Sequence, residues 1–396
     1  MDHVISLQSH IEMLCETIGV RPTGSAKNKA AVEYAFEAFQ KCGLQVRKQE
    51  FDCMDWTNSG AALLIDNRNI PVEPAKYSLP CDATAEFICI DSVEALRNAE
   101  LSGKIAVLHG DLCKEPLMPK NFEFYNPDEH KQIIALLEEK NSTAIITVTS
   151  GKEHIIQDGD FNIPCAVVCL DMLDVFSQSS DGRAKLTINT ERNPVKAHNV
   201  IATYGAKNDK VCFSAHIDTK TATPGALDNA SGVSALLAFA ESLSGKYYPF
   251  QIEIVLFNGE DYYSNPGEMA FMGGLSTQYI LAVNVDGIGL KNSVTSVSFY
   301  SCSKEIESRI MERVEKTTGI ERIEPWPMGD HMIFSTYGVP TIAITASDIF
   351  GLLDTVLHSS DDNAENIDMD VLNNVVRFLS SCVNGWENDM DAFYLP

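Results

Sequence analysis

A chain of 396 residues is long for one hydrophobic core, which predicts two domains or one domain carrying a large insert. With 55 acidic against 30 basic residues the formal net charge is −25, which argues against nucleic acid and anionic membrane surfaces as partners and favours cationic ligands such as a free amino terminus. The hydrophobic fraction of 45% is ordinary for a globular protein, and no run of about 18 apolar residues offers a membrane span.

The first residues, Met1-Asp-His-Val-Ile-Ser, lack the basic-then-apolar order of a secretory signal. The 11 cysteines are odd in number and include no CxxC, so the expectation is a reduced, cytoplasmic protein without a disulfide framework. Cys89, Cys165, Cys169 and Cys212 lie in apolar strand-like runs and are expected to be buried as small hydrophobes.

Residues 5–17 and 26–42 read as helices, the second with Ala30, Ala31, Tyr34, Ala35, Phe39 and Cys42 at helical spacing. Ser25 can cap it, Gly43 stops it, and 44–51 alternates like a strand. From about Cys53 to Asn193 the pattern changes. Short strands are expected at 103–109, 143–148 and 163–170 and a helix at 129–139, with no cluster of ligand-type residues. This stretch, 53–193, reads as an inserted α/β domain without chemistry of its own.

After it, strands are expected at 199–204, 211–215, 252–257, 280–285, 297–301 and 340–345, and helices at 231–243, 305–317, 330–336 and 369–383. Strands alternating with helices predict a mostly parallel mixed sheet with helices on both faces, formed by residues 1–52 and 194–396.

The informative residues fall at strand ends. Val211–Ala215 runs into His216 and Asp218, Ile252–Phe257 into Asn258-Gly-Glu260-Asp261, and Ile280–Val285 into Asp286. In an open α/β sheet the ligand crevice lies beyond the carboxyl ends of the strands, so these groups converge. Asp228 and Asn229 precede an apolar helix, and His358 precedes another. Alone, Asp228 would be a helix cap, His216 a core histidine and Glu260-Asp261 a solvated loop. Together, neutral imidazoles and dispersed carboxylates suit zinc, with cobalt or manganese also compatible. Two metals about 3.5–4 Å apart need a bridging carboxylate, for which Asp228 fits, leaving Glu260 as general base.

His216-x-Asp218, Gly225-Ala-x-Asp228-Asn-Ala-Ser-Gly232, Glu260-Asp261, Asn284-Val-Asp286 and His358-Ser-Ser-Asp-Asp362 resemble the co-catalytic zinc exopeptidases, which include leucyl aminopeptidases, aminopeptidase Y and glutamate carboxypeptidases. Gly19-Val-Arg21-Pro-Thr-Gly24-Ser25 is similar to the family's opening. The resemblance implies a phosphorylase/hydrolase-like fold and a two-zinc aminopeptidase acting on peptides with a free amino terminus. His216 and Asp286 would hold one metal, Asp261 and His358 the other, Asp228 would bridge, and Glu260 would shuttle the proton. Asp218 would orient His216, and Asp362 or its neighbour Asp361 would do the same for His358. Met328-Gly-Asp330-His331 resembles a segment lining the substrate site, with Gly329 where a serine is common.

The insert is similar to a protease-associated domain through Ser102-Gly-Lys104-Ile-Ala-Val-Leu108 and Ile163-Pro164-Cys-Ala-Val167. In relatives such inserts shape substrate access or oligomer contacts, which leaves a homo-oligomer open. Carboxypeptidase action or glutaminyl cyclisation on the same scaffold, and a non-catalytic protein of the transferrin-receptor type, are the alternative readings.

Overall fold

Val211, Phe213 and Ala215 alternate with Cys212, Ser214 and His216 along the strand Lys210–His216, buried from Val211 onward, and the larger unit of the protein is built around it. The structure is a computed structural model describing residues 3–122, 126–150, 154–274, 278–352, 355–384 and 386. The chain divides into one unit of Met1–Cys53 with Lys196–Pro396 and a second of Met54–Val195.

In the larger unit, Lys210–His216 pairs in parallel with Gln251–Phe257 on one side and Tyr279–Val285 on the other. Thr341–Ala346 adds in parallel beside Tyr279–Val285. The flanks are mixed. Residues 200–204, the end of the strand Arg183–Tyr204, run antiparallel to Gln251–Phe257, and Thr295–Tyr300 runs antiparallel to Thr341–Ala346. The four inner strands therefore point the same way and present their carboxyl ends together, which is what the alternating sequence pattern requires.

Helices cover both faces. Ile252, Ile254 and Leu256 join Val211, Phe213 and Ala215 in one core with the helices Val4–Ile11, Ala26–Lys41, Ser231–Glu241, Lys304–Val314 and Met369–Val383. Phe213 meets Phe239 at 4.6 Å between ring centroids. On the opposite face Phe257 packs on Phe271 of the helix Pro266–Met272 at 5.1 Å, and Phe271 on Phe334 of the helix His331–Ser335 at 5.8 Å.

The second unit has its own parallel strands, Cys81–Ile90, Ile105–Leu108, Ala144–Thr149 and Cys165–Cys169. Arg183–Tyr204 pairs antiparallel with the first of them, and Glu73–Pro74 with the last. One apolar cluster, including Leu96, Ile133, Ile134 and Leu137, packs helices Val93–Asn98 and Asp128–Lys140 onto the sheet. A second, around Val107, Ile146, Val168 and Leu186, lies on the other side.

Several details differ from the sequence-based expectation. The first helix is regular only over Val4–Ile11 and continues through Glu12–Ile18 in wider turns. The strand expected at 44–51 extends over Gln45–Ile65; its continuation is largely half-buried or exposed and carries no regular apolar alternation to mark it in the sequence. Cys81–Ile90, Pro266–Met272 and the short helices Val93–Asn98, Leu173–Ser177 and Ile349–Leu352 were not expected. Cys165 and Cys212 are buried as expected, whereas Cys89 and Cys169 are exposed, since apolar runs do not fix which face each residue takes. No helix among the described residues is long and apolar enough to cross a membrane.

Candidate metal centre

His216 is the last residue of its strand and lies in register beside Phe257, so the Asn258–Asp261 turn that follows Phe257 emerges next to it. Asp286 follows Val285 at the same edge and is fixed by its N–H donating to the Ile344 carbonyl at 2.9 Å. Asp228 arrives on a tight turn before the helix Ser231–Glu241. That turn starts at Gly225, whose φ is +60° and where an added Cβ would stand 2.4 Å from the Asp228 carbonyl oxygen. His358 is itself held at a φ of +58°, a costly conformation for a side-chain-bearing residue and one that clusters at functional sites.

These elements gather two triads that share one residue. His216, Asp228 and Asp286 place ligand-type atoms within 4.8 Å of one another, and so do Asp228, Asp261 and His358. His216 Nε2 lies 2.8 Å from Asp228 Oδ1 and 3.5 Å from Asp286 Oδ1. His358 Nε2 lies 3.2 Å from Asp228 Oδ2 and 3.5 Å from Asp261 Oδ1. The two oxygens of Asp228 therefore face one triad each, which is the arrangement a bridging carboxylate needs.

The donor chemistry fits metal ions. Neither ring nitrogen of the buried His216 has an aligned hydrogen-bond partner, although Asp228 Oδ1 is at contact distance from Nε2. The oxygen lies off the line along which the ring N–H would donate, as expected where imidazole and carboxylate point at a common third atom. Burial alone would lower the His216 pKa. Asp286, followed by Asp218 and Asp228, overrides it and raises the value well above the ordinary one. The site attracts a cation, and a proton and a metal ion compete for the same lone pair. Burial also works against the Asp228 charge, yet His216 and His358 hold its carboxyl well below the usual range. Asp261 is raised, by burial first and then by Asp228.

A layer of hydrogen bonds fixes the cluster. Asp218 is fully buried, with Oδ1 at 3.7 Å from His216 Nδ1. It accepts from the Gly259 N–H at 2.9 Å, the Asp261 N–H at 3.2 Å and the Thr23 hydroxyl at 2.9 Å. Asn229 donates to the Val285 carbonyl and accepts from the Gly232 N–H, both at 2.9 Å, which ties the Asp228 turn to the strand that precedes Asp286. The Asp362 carboxylate accepts from the Leu227 N–H at 2.5 Å and the Asp228 N–H at 3.1 Å, so it braces the bridging turn.

Three supports were not assigned a role from the sequence. Arg21 is fully buried and donates to the carbonyls of Ile217 and Pro224 at 2.8 Å and Gly225 at 3.1 Å, both ends of the loop between His216 and Asp228. Thr23, two residues on, reaches Asp218. Lys220 donates its N–H to Asp261 Oδ2 at 2.9 Å and places Nζ 3.4 Å from Oδ1. The Gly19–Ser25 segment pointed toward the first two; nothing in the sequence marked Lys220.

Glu260 stands beside the triads but belongs to neither. Burial, eased by His216 and reinforced by Asp261, Asp286 and Asp228, pushes its pKa up to about 8. Asp330 is 3% exposed with Oδ2 lacking a hydrogen-bond partner. His331 turns its ring into Tyr300 and Trp326, with centroids at 4.5 and 5.1 Å, and its Nε2 lies 3.0 Å from the Trp326 carbonyl.

Residues 199–383 match the model of peptidase family M28. Aminopeptidase YwaD of Bacillus subtilis (strain 168) is 25% identical over 265 residues, covering 64% of this chain and 54% of that protein. The chain spans about half the length of the curated relatives it matches. Among solved structures, a zinc aminopeptidase from Bacillus subtilis aligns with a TM-score of 0.76 at 20% identity, over 96% of this chain and 94% of that one. An aminopeptidase from Aneurinibacillus sp. strain AM-1 aligns at 0.75 and 20%, over 96% and 93%. These two share the fold.

Proposed function

Residues 199–383 match the model of peptidase family M28, and from that match we propose that the protein is a zinc-dependent aminopeptidase that removes the N-terminal residue of peptides at a two-metal site. The observation that carries the reading is the sharing of Asp228 between two ligand-type triads, with Glu260 alongside. Similarity to proteins named as aminopeptidases, one of them a zinc enzyme, supports it.

On this reading His216, Asp228 and Asp286 hold one metal and Asp228, Asp261 and His358 the other. Bound zinc supplies an acidified water and a Lewis acid for the scissile carbonyl oxygen. Glu260 is left free of both triads, so its carboxylate can take the proton of the attacking water and return it to the leaving amine. Asp218 and Thr23 keep the His216 ring and the Gly259–Asp261 backbone in place while this happens. The acidic cluster and the net charge of −25 favour a substrate presenting an ammonium group. The 54–195 unit supplies none of these residues, and we read it as a protease-associated-like insert.

The test is hydrolysis of amino-acid anilides and short peptides by the zinc-loaded protein, with free and with acetylated amino termini. Release of the first residue only from unblocked substrates is expected. Equal cleavage of blocked substrates, release from the carboxyl end, or cyclisation of N-terminal glutamine without hydrolysis would each replace the aminopeptidase reading.

A further inference from the structure

The two triads offer the same donors: one imidazole, one carboxylate of their own and a share of Asp228. Any difference in how tightly they hold a metal must come from the charges around them, and those differ in sign. Beside His216, Asp218 Oδ1 stands 3.7 Å from Nδ1, which adds a carboxylate to the surroundings of that triad. Beside Asp261 stands the ammonium of Lys220, with Nζ 3.4 Å from Oδ1 and 3.3 Å from the Asp261 carbonyl oxygen. Among the described residues no lysine or arginine forms an ion pair with Asp228 or Asp286.

Lys220 meets the Asp261 carboxylate twice, with separable effects. Oδ2 accepts from the Lys220 N–H at 2.9 Å, so the main chain alone fixes the carboxylate's orientation. The loop carrying that N–H is braced independently of the lysine side chain, because Arg21 donates to the carbonyls of Ile217 and Pro224 on either side of it. Oδ1 is left to face His358 Nε2 at 3.5 Å, and this is the oxygen that the ammonium approaches. A carboxylate oxygen has two lone pairs, so Oδ1 can serve a metal and the ammonium together, but the two cations then stand against the same atom. With the Asp261 side chain 1% exposed and that of Lys220 26%, solvent screens their repulsion only in part.

We propose that Lys220 sets the two metal sites apart. By sharing Asp261 Oδ1 it weakens the Asp261–His358 site for a divalent cation, so zinc fills the His216–Asp286 site first and the second ion is the exchangeable one. Lys220 is a positioning residue in this, since it acts through Asp261. The inference rests on the two-metal site of the proposed function.

The test is titration of the metal-free protein with zinc against a competing chelator, for wild type, K220M, K220Q and K220R, with D261N to identify the steps and the Tm of each metal-free form recorded. Wild type is expected to bind two zinc ions in two steps, the second weaker by about tenfold or more. D261N should lose the weaker step and keep the tighter one within about threefold. K220M and K220Q remove the charge and leave the main-chain N–H, so the second step should tighten by about 10–100-fold while the first changes by less than about threefold. K220R keeps a cation and should behave as wild type. Equal steps in wild type, a second step that does not tighten in K220M and K220Q, a gain spread over both steps, or loss of the tighter step in D261N would each overturn the inference. If one neutral variant does not fold the other decides, and failure of both to fold while K220R folds would make the lysine a structural prop and overturn it as well. A wild-type chain that binds no zinc and cleaves nothing ends the proposed function and this inference together. A wild type that binds two zinc ions and cleaves, with K220M and K220Q unchanged, ends the inference alone.

Discussion

Gly232→Ala sets two opposing effects against each other at the bridging turn. Gly232 lies inside the helix Ser231–Glu241, where replacing glycine by alanine ordinarily gains about 1 kcal/mol of helix propensity. Here the new methyl would stand 2.3 Å from Asn229 Oδ1 and 2.5 Å from the Val285 carbonyl oxygen, both far inside contact distance. Overpacking of that kind costs about 1–3 kcal/mol. Moving Asn229 aside also loses its bonds to Val285 and Gly232, about 1 kcal/mol each. The balance is a destabilisation of about 2–4 kcal/mol instead of a gain. Because Asn229 follows Asp228 and Val285 precedes Asp286, zinc affinity should fall as well. Urea unfolding of the metal-free protein gives the first quantity, and zinc titration against a competing chelator gives the second. A variant as stable as wild type with unchanged affinity would refute the role given to the Asn229 contacts.

Other substitutions separate the remaining roles. Glu260→Gln should keep its metal and lose turnover by about 10²–10⁴-fold in kcat, and near-normal kcat would remove Glu260 as the proton carrier. Asp218→Asn offers an NH2 group where the Gly259 and Asp261 N–H groups and the Thr23 hydroxyl need acceptors, so zinc affinity should drop by about 10–100-fold. Unchanged affinity in the chelator competition would show that this layer is not coupled to the metals. Arg21→Met strips donors from the carbonyls of Ile217, Pro224 and Gly225, with a cost of roughly 3–5 kcal/mol and a drop in Tm of about 10 °C by calorimetry. A shift below about 2 °C would mean that the loop holds without the guanidinium.

The parts of the site legible in the sequence are those where chain direction and chemistry coincide. His216, Glu260-Asp261 and Asp286 each follow an apolar run, and parallel strands that end together must bring such residues together. Asp228 and His358 were placed by their motifs, and the geometry now sets each within reach of the others. Less legible was which way a side chain turns once it arrives. Asp362 is near His358 in sequence, but its carboxylate is taken by the Leu227 and Asp228 N–H groups of a turn more than a hundred residues earlier. Lys220 acts through a contact with Asp261 that no local spacing encodes. Cys89 and Cys169 show the same limit at a strand, where a continuous apolar run conceals which face each residue occupies.

The metal content of the purified chain, measured by mass spectrometry after zinc loading and dialysis, bears most directly on the shared carboxylate. If Asp228 joins two sites, wild type should hold about two zinc ions per chain, and Asp228→Asn should lose both together rather than one. A wild-type chain that retains no zinc, or a D228N variant that still holds a full pair, would contradict the account.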